Sequence, residues 1–341
     1  MCDNNIFIGG AWMSSRLGKT QLLAVIANAI ERSGWDALIV SNQHPFRIRI
    51  HGPEDRGFDV LVYIWNCTHG GGSARSADEY RIQLTGVVPS IDPSVTTLLL
   101  GWHEGYEVFV AFDIGKHSGQ ASASPSIQIK EETLAQAHQN AFARYQRQNN
   151  EIAIAFRPEF FVEYALSADS LHKGGEAAKD LSILNRLPEV TDTQIDTIAN
   201  VARQRIVARI MRRFRAYDFR ARVLGAYGHR CAFCGVLLNL VDAAHIIPVA
   251  DDSSTDETTN GIALCKLHHS AFDRNLLSFD EDYKIEVSLD QTESLRAENR
   301  LGGLASFRKS LRPAIVLPND RRDYPDRKYV IRARTIRKWA G

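Results

Sequence analysis

The chain has 341 residues, length enough for roughly two domains. With 44% hydrophobic and 24% charged residues it has the composition of an ordinary globular protein, which excludes collagen-like and wholly disordered classes. No run approaches the ~18 apolar residues of a membrane helix, so no membrane partner is expected. Five cysteines do not make a disulfide scaffold in a chain this long, and with no basic, apolar leader the expected compartment is the cytoplasm. The net charge of +1 hides an asymmetry: residues 201–341 carry 25 Lys+Arg and 17 Asp+Glu, a balance of +8, against −7 for residues 1–200. The basic half is the candidate for contact with a polyanion.

In chain order, Ile6 to Ile8 reads as a short strand and Thr20 to Arg32 as an amphipathic helix. Gly18-Lys19-Thr20 before that helix suggests a phosphate loop, but Met13 stands where such a loop requires glycine, so the segment reads as a helix start. Strands are expected at Ala37–Val40, Phe58–Trp65, Tyr80–Leu84, Thr97–Leu100, Val108–Phe112, Ser126–Ile129 and Ile152–Phe156. Glu131 to Gln148 has a helical pattern. Together, residues 1–167 read as a mostly antiparallel α+β domain for recognition or sensing. Its charged cluster Arg75, Asp78, Glu79, Tyr80 and Arg81, with Trp65, Trp102, His103 and Tyr106, is suited to a nucleobase or a small ligand, the alternative being that the aromatics are core or scattered surface.

Residues 168–190 lose periodicity and read as a linker. Residues 191–226 read as a basic helical connector, patterned from Thr191 to Leu224. Its arginines are either a solvated face or a DNA contact, the candidates being Arg209, Arg212, Arg213, Arg215, Arg220 and Arg222.

Cys231 and Cys234 form a C-x2-C pair, and Cys265 and His268 a C-x2-H pair. Each pair sets two N/S donors close together, and the four together suit a closed, tetrahedral structural zinc site. Cys2 and Cys67 stand apart as ordinary thiols.

His245, Asn260 and His269 follow as a second constellation beside these ligands. The text Cys231-Ala-Phe-Cys-Gly, Asp242-Ala-Ala-His-Ile-Ile-Pro and Asn260 through Asp273 resembles the HNH, or ββα-metal, endonucleases of the zinc-stapled restriction type. The resemblance covers about residues 227–287, and residues 1–200 carry none. It implies a nuclease domain over 227–290, followed by a basic extension over 291–341, with double-stranded DNA as partner and a homodimer expected, since one such site acts on one strand at a time. The strand is expected at Val241–Ile247 and the helix at Leu264–Phe272, joined by a loop over Val249–Thr259. The resemblance implies His245 as general base, Asn260 as the tie that orients it, and His269, with Asp273 on the same helical face, as ligands of a catalytic Mg²⁺ or Mn²⁺. The C-x2-H spacing assigns His268 to zinc, which leaves His269, ~100° around the helix, free to face the active site. Many such nucleases carry a metal ligand immediately before the base; here Ala244 stands there, and Asp242, two residues away on the same side of the strand, is a poor substitute. The leading expectation is a metal-dependent endonuclease of restriction or host-defence type whose first domain selects a DNA sequence or modification. The alternatives are a nuclease switched by a nucleotide messenger or protein partner, and a zinc-stapled DNA-binding protein without catalysis.

Overall fold

The computed structural model describes residues 16–52, 56–70, 76–119 and 125–339; the strand expected at Ile6–Ile8 lies outside them. The chain divides into two compact units, one up to Phe214 and one from Arg215. The first contains strands β1 (Asp36–Ser41), β2 (Phe46–His51), β3 (Gly57–Asn66), β4 (Thr68–His69), β5 (Glu79–Gln83), β6 (Thr96–His103), β7 (Val108–Phe112), β8 (Ser126–Lys130), β9 (Phe142–Gln146) and β10 (Ile152–Phe156). Seven of them build one sheet in the order β1-β2-β3-β6-β7-β10-β9, and β4-β5-β8 build a smaller one. Within the large sheet β3 and β6 run parallel and every other pair is antiparallel.

Alternation along β3 explains why both faces are covered. Val60, Val62 and Ile64 enter the core cluster that contains Leu22, Ile26 and Ile30 of the helix Lys19–Arg32. Tyr63 and Trp65 point the other way, into a cluster with Ile82 of β5, Ile127 and Ile129 of β8 and Leu134 of the helix Glu131–Asn140. Each fully buried aliphatic side chain contributes about 2 kcal/mol of burial. The small sheet approaches so closely that a Cβ on Gly101 of β6 would stand 2.4 Å from Ile82 Cγ2. Trp65 and Trp102, both candidates for a ligand site, are core residues here.

Three expectations for this unit change. The helical pattern over Glu131–Gln148 stops at Asn140: Ala141 takes the left-handed conformation (φ 72°), and Phe142–Gln146 become β9, paired with β10. Residues 168–190 are not a linker. They fold into short helical turns that bury Leu171, Leu181, Leu184 and Leu187 in the core. Arg144 of β9 fastens them, its guanidinium donating to the carbonyls of Leu171 (2.7 Å), Ala178 (3.0 Å) and Lys173 (3.3 Å). The expected connector over 191–226 divides into a short helix, Asp192–Asp196, and a long one, Val201–Ala226, within which the boundary between the units falls.

The second unit pairs β11 (Val241–His245) with β12 (Gly261–Cys265), antiparallel, with His245 opposite Gly261. The helix Lys266–Asp273 follows directly. The strand β12 was not expected, and Cys265 and Leu264 belong to it, not to the helix. β13 (Leu277–Phe279) and β14 (Ile285–Val287) form a hairpin around Asp280–Asp282. Phe233, Ile262, Leu264, Phe272 and Phe279 form the core, together with Ile315, Tyr329 and Val330. The last three come from the expected basic extension, which is therefore part of the packed unit.

Candidate active site

The four sulfur and nitrogen donors converge. Ligand atoms of Cys231, Cys234, Cys265 and His268 all lie within 4.8 Å of one another. Cys234 Sγ and Cys265 Sγ are 4.0 Å apart, and His268 Nδ1 is 3.2 Å from Cys265 Sγ and 3.5 Å from Cys231 Sγ. Two sulfurs at ~2.3 Å from one tetrahedral ion stand roughly 3.8 Å apart, so the donor set fits such an ion. The turn that offers Cys231 and Cys234 is closed by Gly235 N donating to Cys231 O (2.8 Å), and Ala232 N donates to Ala263 O of β12 (2.8 Å). His268 is buried, and its second ring nitrogen lies 3.4 Å from the Ser310 hydroxyl, the kind of outer contact that orients a ligating imidazole.

His269, the next residue, faces elsewhere. It lines an open cleft of about 540 Å³ with Ala243, Ala244, His245, Asp273 and Arg337. His269 Nε2 is 3.4 Å from Asp273 Oδ2, one helical turn on. His245, at the end of β11, is stacked on Phe219 with ring centroids 3.8 Å apart and planes 9° apart. Its Nε2 is 2.9 Å from Asp256 Oδ1. Asn260 is fully buried: its side chain accepts from Ile247 N (3.0 Å) and donates to Thr255 O (2.8 Å), closing the loop that leaves β11. Two nitrogen bases and a carboxylate thus face one cleft, beside a donor cluster that anchors the same helix.

Asp242 does not substitute for the residue that Ala244 lacks. Its carboxylate is held by Arg220 (2.8 Å) and Lys266 (2.8 Å), which keep it ionised well below the usual carboxylate range against the cost of its burial, and it does not line the cleft. Most of the candidate DNA-contact arginines are likewise engaged within the protein. Arg209 donates to Ser167 Oγ, and Arg213 to the carbonyls of Glu159 and Arg32. Arg222 pairs with Asp218 and donates to Asp256 O and Thr258 Oγ1 (both 2.7 Å). Arg215 is also partnered, whereas Arg212 is exposed.

Two residues at the site escaped the sequence reading. Asp256 lies in a loop rich in carboxylates, where nothing local marks one as the partner of His245. Arg337 lines the cleft from far along the chain, its guanidinium 4.0 Å from the Phe272 ring centroid and lowered in pKa by burial. The basic tail was the only signal for it.

Two short antiparallel strands, a helix and cleft-facing histidines beside a Cys₃His cluster define a ββα-metal nuclease module. Residues 231–280 match the family model described as HNH endonuclease, and residues 58–165 match the one described as Methylase-associated X1. The protein is an endonuclease with an HNH domain in its second unit and a methylase-associated region in its first. No curated protein matches the chain. A solved chain titled "Modification dependent TagI restriction endonuclease" is 13% identical over 81% of this chain and 80% of that one. The TM-score between the two is 0.26. Among the described residues no helix is long and apolar enough to cross a membrane.

Proposed function

We propose that this protein is a restriction or host-defence endonuclease: its HNH cleft hydrolyses phosphodiesters of double-stranded DNA, and its first unit selects a sequence or a base modification. The convergence of His245, His269 and Asp273 on one cleft, with His268 turned into the separate donor cluster, carries the reading. His245 takes the proton from the attacking water, as a general base at the edge of the cleft. Asn260 closes the loop that follows His245 at the end of β11. His269 and Asp273 would hold a catalytic Mg²⁺ or Mn²⁺, which when bound supplies Lewis-acid stabilisation of the phosphate. Arg337, the one Lys or Arg among the described residues lining the cleft, offers a cation to a phosphate oxygen. Cys231, Cys234, Cys265 and His268 would hold a structural zinc. Arg212 remains the candidate on the long helix for phosphate contact, and two copies acting together would cut both strands.

The test is cleavage of plasmid and of modified and unmodified duplexes, with DNA affinity and zinc content measured alongside. His245→Ala is expected to lose at least ~10²-fold in cleavage with DNA affinity retained. His269→Ala is expected to lose rescue by added Mg²⁺ or Mn²⁺ after brief chelation while keeping its zinc. Zinc lost from His269→Ala but kept by a fully active His268→Ala overturns the division of the two histidines.

A further inference from the structure

We propose that Asp256 is the positioning carboxylate of His245: it fixes the ring tautomer and meets the charge the ring acquires. The inference rests on His245 acting as the base.

Neutral imidazole has one N–H donor and one lone-pair acceptor, and a base is useful only if the lone pair faces the water. A carboxylate 2.9 Å from Nε2 can only accept a hydrogen bond, so it selects the tautomer with Nε2–H and leaves Nδ1 as the lone-pair nitrogen. Nδ1 has no hydrogen-bond partner among the described residues, and the side chain borders the cleft. Stacking on Phe219 at 3.8 Å fixes the ring plane, so the carboxylate needs only to settle the rotation within that plane and the tautomer.

Asp256 is itself held for this task. Arg222 donates to its backbone carbonyl and to Thr258 Oγ1, both at 2.7 Å, fixing the main chain without neutralising the carboxylate directly. Asn260 ties Thr255 on the other side. Two neighbouring carboxylates have other partners: Asp251 faces Ser253 and Arg332, and Glu257 accepts from Tyr329 OH (2.7 Å). Asp256 alone of this loop reaches the histidine. When Nδ1 takes the proton from water, the resulting imidazolium stands against an anion, which stabilises the charge-separated state more than the starting one.

Asp256→Asn keeps the size but replaces the anion with an amide, whose NH₂ can donate to Nε2 and select the opposite tautomer. Single-turnover cleavage by Asp256→Asn and Asp256→Ala is expected to fall about 10²-fold, with DNA affinity within threefold of wild type. Asp256→Glu is expected to recover to within about tenfold of wild type. In the full-length protein, ¹⁵N-histidine spectra, with His245 assigned through His245→Ala, should show the Nε2–H form in wild type and its loss in Asp256→Asn. Wild-type rates in Asp256→Asn and Asp256→Ala, with His245→Ala inactive, overturn the inference and leave the reading of His245 standing. An Nδ1–H tautomer in wild type overturns it whatever the variants do. Full activity in His245→Ala sinks the reading of the base itself.

Discussion

Up to Phe214 the chain is held by apolar layers on both faces of a seven-stranded sheet, whereas from Arg215 two-stranded sheets and short helices share one smaller core. The second unit has, in addition, the donor cluster that joins the turn at Cys231 and Cys234 to the junction of β12 with the next helix. The difference shows where positional precision comes from. A two-stranded ribbon is marginal alone, so the cleft histidines depend on cross-links at their own elements. In the first unit the burial of whole sheet faces suffices.

The largest effect that tests this contrast is loss of the zinc proposed for the Cys231, Cys234, Cys265 and His268 cluster. A structural zinc supplies ~10–16 kcal/mol of apparent binding free energy, as much as the whole stability of an ordinary domain. Cys265→Ser, or exhaustive chelation, is expected to unfold the second unit and abolish cleavage while leaving the first unit's calorimetric transition in place. A common shift of both transitions breaks the contrast.

The reverse lesion lies at Arg144. Arg144→Ala leaves the carbonyls of Leu171, Ala178 and Lys173 without their donor, at roughly 3 kcal/mol in sum, the greater part from the buried Leu171 carbonyl. The first transition is expected to fall by about 10 °C, with zinc content unchanged. An unaltered first transition would mean that the burial of Leu171, Leu181 and Leu184 holds the segment without the arginine.

The smallest effect is on pH dependence. Burial pulls His44 and His103 down to about 4, with Lys19 adding to the shift at His44 and Glu131 opposing it at His103. Each is neutral in the fold and accepts a backbone N–H, His44 from Ile64 and His103 from Tyr106. The unfolded chain binds these protons near ~6.5, so their contribution is present above that pH and is lost as pH falls towards 4. The first transition is expected to drop by a few degrees across this window, and His44→Gln/His103→Gln to flatten the slope. An equal slope in the double variant assigns the acid sensitivity to other groups.

What could be read from the sequence follows the range of the interaction. Metal-ligand spacing is local, and both C-x2-C and C-x2-H pairs are visible as text. The strands β3, β6 and β7 announce themselves through apolar runs. Beyond residue 140 the pattern misleads, because Leu134, Ala137, Ala141 and Tyr145 keep helical spacing although β10 recruits Phe142–Gln146 as a strand. The arginines of the long helix were visible as charge, but the carbonyls and carboxylates that engage them come from elsewhere in the chain. Asp256 and Arg337 were hidden for the same reason.

Gly261 of β12 leaves no room beside it: a Cβ there would stand 2.2 Å from Val223 Cγ2 and 3.1 Å from the Phe219 ring. From that contact the chain runs five residues of strand and then three into helix before the tandem histidines divide, one to each site. Length in this stretch is therefore as consequential as identity. Deleting one residue between Cys265 and His268 would deliver His269 to the cysteines and present Ser270 where the cleft now has its imidazole. A gene encoding every one of these side chains, shortened here by a single codon, would keep the donor cluster and forfeit the cleft.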